Sequence, residues 1–238
     1  MGDAKLESSA HKNILVIGAG IVGVSTALWL QRDGHTVTLI DKEGPSAGAS
    51  YGNAGVLSSG SLVPVTVPGL FGKAPKMLFS PNQPLFLKWP YVPRLIPFLW
   101  KYMKHANAKS AERISHGLSQ LLHDAPDQHL ALAKGTEAEE YIDTVDYLFG
   151  YADEAAFKAD RFGWGIRERR GVSFAKLDAD AMVNYDPNLK GRFGYGVQCK
   201  NHGKIKDPGA YVSKLADHFV ANGGTLLTKD VKGFEIKD

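Results

Sequence analysis

Ile14-Leu15-Val16-Ile17-Gly18-Ala19-Gly20-Ile21-Val22-Gly23 opens a unit that runs from Asn13 to Asp41. The first four residues form an unbroken aliphatic run, the composition of a parallel strand buried on both faces. Gly18 allows a tight exit from that strand. Gly20 has no side chain, so a pyrophosphate can approach the backbone, and Gly23 lets the next helix pack close to the strand. The helix then aims its free N–H groups, at the positive end of its dipole, toward the phosphates. Val24, Ala27 and Leu28 recur on one helical face, and Gly34 stands where a helix stops. Val37-Thr38-Leu39-Ile40 reads as a second strand. Asp41 ends it, 18 positions after Gly23, where a carboxylate can accept from ribose hydroxyls. A bare glycine triplet is weak evidence. Strand, helix, second strand and terminal acid together are the context the motif requires, and they predict an adenine-dinucleotide site and redox chemistry.

The residues after Asp41 separate FAD from NAD. A plain NAD domain would continue with another helix and strand. Here Lys42-Glu43-Gly44-Pro45-Ser46-Ala47-Gly48-Ala49-Ser50 leads into Tyr51-Gly52-Asn53-Ala54-Gly55, a long small-residue segment full of breakers. Such a track can lie flat against a large planar group, which an extended FAD requires. The alternative for this composition is a surface loop.

Gly18 to Asp41, followed by Ala49-Ser50 and Asn53-Ala54-Gly55, resembles the FAD-dependent D-amino-acid oxidase (DAO) superfamily, and the Asn-Ala-Gly element most resembles its D-amino-acid dehydrogenase branch. Asp186-Pro187-Asn188-Leu189, within Ala181–Leu189, is similar to the acid-Pro-x-Leu stretch of that family. His202 to Gly209 is similar to the element preceding the helix that returns to the FAD domain. The resemblance implies FAD as cofactor, with Gly18, Gly20, Ile21, Val22 and Gly23 at the pyrophosphate. It implies Asp41, with Lys42 beside it, at the adenosine ribose, and Ser50 along the diphosphate–ribityl path. Asn53, Ala54 and Gly55 would lie by the flavin ring, and Val231 would present its backbone to adenine. Family members usually carry Glu at the ribose position; Asp41 is shorter with the same acceptor chemistry. The implied reaction is oxidation of a D-amino acid to its imino acid, then 2-oxo acid and ammonia, with hydride passing to flavin N5. A glycine- or sarcosine-type amine oxidase on the same scaffold, or a non-catalytic FAD-binding fragment needing a partner chain, are the other readings.

The 238 residues are 44% hydrophobic, enough for a buried core and one or two domains. A net charge of +3, from 28 basic and 25 acidic residues without a basic cluster, argues against a nucleic-acid partner. The single cysteine, Cys199, forbids an internal disulfide and fits a reducing, cytoplasmic compartment; it alternates with apolar residues and reads as core. Met1–Lys12 is polar and reads as a disordered start rather than a signal peptide. No apolar run is long enough to span a bilayer.

Pro64, Pro68, Pro75, Pro81, Pro84, Pro90, Pro93 and Pro97 argue against a long regular helix over Gly60–Pro97. Phe98–Ala125 then turns helical, with Ile114, Leu118, Leu121 and Leu122 on one face, before Pro126 interrupts it and Gln128–Lys134 resumes it. Val145, Tyr147, Phe149 and Tyr151 alternate, as do Phe193, Tyr195, Val197 and Cys199, and both predict half-buried antiparallel strands. Between them Asp153–Arg169 reads as a helix with Asp153 as N-cap. Asp207 and Pro208 start a helix whose buried face carries Val212, Leu215, Ala216, Phe219 and Val220, with Gly223-Gly224 as its end. Thr225-Leu226-Leu227 and Val231–Ile236 follow as strands. The fold class expected is therefore α/β: a Rossmann-like FAD-binding domain with a parallel sheet, interrupted by an α+β substrate domain with an antiparallel sheet. The expected divisions are a disordered start (1–12), a first FAD-domain segment (13–85), a substrate-domain insertion (86–201) and a second FAD-domain segment (202–238). The C-terminal portion of the fold is expected to be missing, which would leave sheet edges and apolar faces uncovered.

No catalytic residue is named, because the substrate carboxylate needs a cation, ideally a bidentate arginine, and the family supplies it from the later half. His105, His116, His123 and His129 match no zinc spacing, so no metal site is expected and they read as solvated-face histidines. Arg167, Arg169 and Arg170 close a helix, where their charge suits the dipole. Leu85–Lys104, with Trp89, Trp100, Lys101 and Lys104, has the composition of a peripheral membrane contact on the inner face of the cell membrane, and relatives pass electrons to a membrane acceptor. Packing within the substrate domain is the favoured reading of that segment.

Overall fold

A computed structural model gives the conformation of residues 10–70 and 88–236. In chain order the elements are β1 (Asn13–Ile17), α1 (Ile21–Arg32), β2 (Thr36–Asp41), β3 (Val56–Leu57), α2 (Val92–Lys104), α3 (Ala108–Leu122), α4 (Ala125–Ala133), β4 (Ile142–Tyr151), α5 (Glu154–Ala159), α6 (Arg161–Arg169), β5 (Phe174–Asp178), α7 (Ala179–Tyr185), β6 (Tyr195–Ile205), α8 (Pro208–Ala221) and β7 (Thr225–Thr228). Two compact units form. One holds the described residues of 1–57, 126–144 and 203–238, the other those of 58–125 and 145–202. Most of the expected N-terminal tail, and Pro75, Pro81 and Pro84, lie outside the described residues.

In the first unit β1, β2 and β7 form a parallel sheet in that order, with Asn13 opposite Thr36 and Thr38 opposite Thr225. Val24, Ala27 and Leu28 of α1 are fully buried, as their spacing predicts. They pack with Val37 and Leu39 of β2 and with Tyr211, Val212, Leu215, Ala216 and Phe219 of α8. Each fully buried aliphatic or aromatic side chain contributes about 1.5–3 kcal/mol of transfer free energy. Gly34 takes φ +87° past the end of α1. Its N–H donates to the Gln31 carbonyl and that of His35 to Leu30, the paired closure that ends a helix at glycine. At the start of α8 the Asp207 carboxylate accepts from the Ala210 N–H, and Pro208 occupies the first turn, where its missing donor costs nothing.

Three expectations for this unit need correction. β1 is not buried on both faces: Leu15 is 53% and Ile17 58% exposed. It is the end strand of the β1–β2–β7 sheet, and alternation turns these two side chains away from the core that Val16 joins. Val220 is 45% exposed, because it lies one helical step past Phe219 at the border of the apolar stripe. Val231–Ile236 carries no strand. The β2–β7 ladder ends with Thr228 opposite Asp41, after which the Lys229 N–H donates to the Asp41 carbonyl.

In the second unit β5 pairs antiparallel with Tyr195–Cys199 of β6. Val197 and Cys199 are buried with Phe157 and Trp164, against Phe149, Tyr151, Phe174 and Tyr195. Burial pushes the Cys199 thiol up to about 11, so it is a core residue, as its alternation suggested. Phe193 falls outside the strand, and β5 has no counterpart in the expected elements.

The helices differ more. Val92–Lys104 is helical despite Pro93 and Pro97. Pro93 stands in the first turn, where no donor is missed, and only Pro97 forfeits an internal bond. The stretch expected as one helix over Phe98–Ala125 is divided at Asn107, whose side chain caps α3 through the Ser110 N–H. Leu121 is exposed while Ala111 and Ser115 form the buried line of α3. The helix breaks at His123–Asp124, next to Pro126, and resumes as α4 over Ala125–Ala133, in whose first turn Pro126 stands. Asp153–Arg169 is two helices that meet at Asp160; Asp153 caps the first by accepting from Ala156. None of the 13 residues of α2 is fully buried, while Val92, Leu95, Tyr102 and Met103 are partly buried.

Candidate cofactor site

The turn after β1 is built by sterics. Gly18 has φ +102°, and its N–H donates to the Ile40 carbonyl at 2.7 Å. A Cβ on Gly23 would stand 1.8 Å from the Gly18 carbonyl oxygen, so the helix sits this close to the turn only because position 23 is bare. Gly20 is the N-cap of α1 and offers no side-chain cap. Around its missing Cβ the nearest atom is the Ser50 hydroxyl at 3.2 Å. The Ile21 N–H donates to that hydroxyl at 2.9 Å. Position 20 is thus open to a ligand, whereas position 23 is filled by the protein itself.

Asp41 ties the turn to the track. Its Oδ2 accepts from the Ala19 N–H at 2.8 Å, and its Oδ1 from the N–H groups of Glu43 and Gly44 at 2.8 and 3.0 Å. These bonds, Ala19 first, hold the carboxyl below the usual carboxylate range despite partial desolvation, and Lys42 adds a smaller pull. A carboxylate has about four lone-pair sites, so acceptor capacity remains for a ribose hydroxyl. Lys42 is exposed and pairs at 3.3 Å with Glu43, a surface contact of little energetic weight.

The track is ordered by its own backbone. The Ser46 N–H donates to the Ala19 carbonyl at 3.1 Å. Asn53 donates to the Ala49 carbonyl and accepts from the Gly55 N–H at 2.8 Å. Gly55 takes φ +64°, and a Cβ there would stand 2.1 Å from the Ile205 carbonyl oxygen. The Ile205 N–H in turn donates to the Gly55 carbonyl at 2.7 Å. These bonds shape the small-residue segment, of which residues 47–49 and 51–54 are exposed.

A pocket of about 140 Å³ joins these pieces. Of the expected positions, Ile21, Ser50, Asn53 and Gly55 line it. Gly18, Gly20, Gly23 and Asp41 build the turn beside it. Val22 and Lys42 point to solvent and Ala54 is exposed. Val231 is partly buried, two residues past the amide that donates to Asp41. The opposite wall was not anticipated: His129 from α4, and Pro208, Tyr211 and Val212 from α8. His129 is not a solvated-face histidine. Its Nδ1 lies 3.0 Å from the Tyr211 hydroxyl, and burial lowers its pKa and raises that of Tyr211. The available signal was its spacing from the buried Leu132 and Ala133, three and four residues on.

Arg167, Arg169 and Arg170, at the end of α6, have partners within the second unit. Arg169 and Arg170 pair with Glu112. Arg167 donates to the Gly60 carbonyl at 3.2 Å and lies over Phe149 and Trp164.

A parallel sheet, a helix start without a side-chain cap and an acid at the end of the second strand define a dinucleotide-binding α/β protein. The FAD-dependent oxidoreductase profile of the DAO family matches residues 13–238, and the chain belongs to that family. A D-amino-acid oxidase from Bradyrhizobium diazoefficiens is 38% identical over 228 residues, which cover 94% of this chain and 54% of that protein. D-amino acid dehydrogenase 2 from Ralstonia nicotianae is 33% identical over 183 residues, covering 76% of this chain and 43% of that one. The crystal structure of glycine oxidase from Bacillus cereus shares the fold at a TM-score of 0.59 and 16% identity, over 96% of this chain and 48% of that one. The chain therefore spans about half the length of the curated relatives it matches.

Proposed function

We propose that the protein belongs to an enzyme that oxidises the CH–NH2 group of D-amino acids to the imino acid, which water converts to 2-oxo acid and ammonia. The observation that carries this reading is the open helix start at Gly20, within the turn that Asp41 braces. FAD, when bound, supplies the acceptor for the Cα hydrogen, as hydride at N5. Gly18, Gly20, Ile21, Val22 and Gly23 present backbone to its diphosphate. Asp41 and Lys42 hold the adenosine ribose, and Ser50 lies on the path to the ribityl chain. Asn53, Ala54 and Gly55 flank the ring, and Val231 offers its backbone to adenine. Residues 13–85 and 202–238 serve as the FAD domain and 86–201 as the substrate-domain insertion. Relatives named oxidase and dehydrogenase both support an amino-acid substrate. Anaerobic mixing of the flavin-loaded protein with D- and L-amino acids tests the proposal. Bleaching by D-amino acids alone supports it; bleaching by no amine contradicts it.

A glycine- or sarcosine-type amine oxidase is the second reading, favoured by the shared fold with a glycine oxidase. Bleaching by glycine or sarcosine in preference to D-alanine would establish it. A non-catalytic FAD-binding fragment needing a partner chain would hold flavin and bleach with no amine.

We also propose that α2 makes peripheral contact with the inner face of the cell membrane. No helix of the described residues is long and apolar enough to cross a membrane. Ile96, Leu99 and Trp100 share one face of α2 and are 56%, 38% and 67% exposed, and residues 88–111 include Lys88, Arg94, Lys101, Lys104 and Lys109 but no acid. An apolar face bordered by cations suits an anionic lipid surface. Co-sedimentation with phosphatidylglycerol vesicles, weakened by Trp100→Glu, is the expected result; equal binding to phosphatidylcholine vesicles would count against it.

A further inference from the structure

The pocket has eleven lining residues, and only His129 and Tyr211 among them titrate. The rest are Ile21, Ser50, Asn53 and glycine, proline or aliphatic positions. His129 lines the same pocket as Ile21 at the start of α1, where backbone N–H groups and the helix dipole favour an anion. Its ring is fixed: Nδ1 meets the Tyr211 hydroxyl at 3.0 Å, and the two rings lie 5.8 Å apart. Tyr211 is itself buried in the core between α1 and α8. Several other charged groups around α4 have partners elsewhere. Arg32 of α1 donates to the carbonyls of Ala131 and Leu132. Lys214 of α8 pairs with Glu137, and Asp207 caps α8 through Ala210. Asp127 lies on α4 itself and is exposed. Among the described residues, no lysine, arginine or carboxylate lines the pocket.

We propose that His129, oriented by Tyr211, is a proton-linked contact for the anionic diphosphate held at the start of α1, so that flavin dinucleotide is retained more tightly as the protein takes up a proton there. The inference rests on the FAD reading above and extends it to a residue outside the glycine turn. The sign follows from the surroundings. Without an anion, burial disfavours the imidazolium; an anion within about 4–6 Å favours it by 1–3 pKa units. Binding and protonation therefore assist each other in the range between the two pKa values. Tyr211 can serve either form, accepting from Nδ1–H or donating to bare Nδ1.

The test is FAD titration of the flavin-stripped protein by fluorescence quenching from pH 5.5 to 8.5. It is paired with calorimetry in two buffers of different ionisation enthalpy, which counts protons taken up per FAD. One pKa unit of linkage is a tenfold change in affinity. The expected Kd for the native protein falls about tenfold from pH 8.5 to 5.5. His129→Gln should lose both the slope and the proton uptake. Tyr211→Phe keeps the ring and removes the hydroxyl, and should reduce the slope. A native protein that binds FAD with no proton uptake would overturn the inference and leave the FAD reading intact, and so would a slope unchanged in His129→Gln. The calorimetric count on the native protein decides the matter even if the variants fold poorly. Failure to bind FAD at every pH would sink the FAD reading and the inference with it.

Discussion

Helices α8 and α2 are nearly equal in length, 14 and 13 residues, and both are amphipathic, yet α8 buries six residues and α2 none. The difference lies in what each helix is tied to. α8 begins at a capped Asp207, runs between strands that pair with β2 and β3, and receives Gln31 of α1 on the carbonyls of Phe219 and Asn222. α2 follows a stretch of prolines and is bounded by Asn107, with no such tether among the described residues. An apolar stripe says that a face avoids water; it does not say whether protein or lipid covers it.

Substitutions can break or sharpen that contrast, read as unfolding free energy in urea. Leu215→Ala on α8 should cost about 2–5 kcal/mol, because a fully buried side chain is removed from a packed core. Asp207→Ala should cost about 1 kcal/mol through the lost cap to Ala210. Trp100→Ala on α2 should change stability by less than about 0.5 kcal/mol, as expected for an exposed position. A large loss at Trp100 would mean that its face packs against protein.

How much was legible in the sequence follows the same division. Where a residue type is sterically required, reading was accurate. Gly23 must be bare because its Cβ would strike the Gly18 carbonyl, and Gly34 must accept φ +87°. Val24, Ala27 and Leu28 were placed correctly because a parallel strand had to lie under their face. The turn from Gly18 to Asp41 was legible for this reason, including Ser50 as its neighbour. Long-range placement was not legible. Its spacing from Leu132 and Ala133 places His129 on the buried side of α4, but its partner Tyr211 lies 82 positions away, and no local pattern encodes that pairing. The exposure of Leu15 and Ile17 was missed because an aliphatic run does not say whether its strand is central or at an edge. Proline was over-read at Pro93, which occupies a first turn where the missing donor is harmless, whereas the break near Pro126 was legible.

The most direct measurement is the flavin-to-protein ratio of Gly20→Val after desalting, set beside its far-ultraviolet circular dichroism. A Cβ at position 20 meets only the Ser50 hydroxyl, at 3.2 Å, so the variant should fold; its methyl groups fill the space a diphosphate needs, so it should lose FAD. A folded Gly20→Val protein that keeps the native complement of FAD would contradict the assignment of this turn as the cofactor cradle.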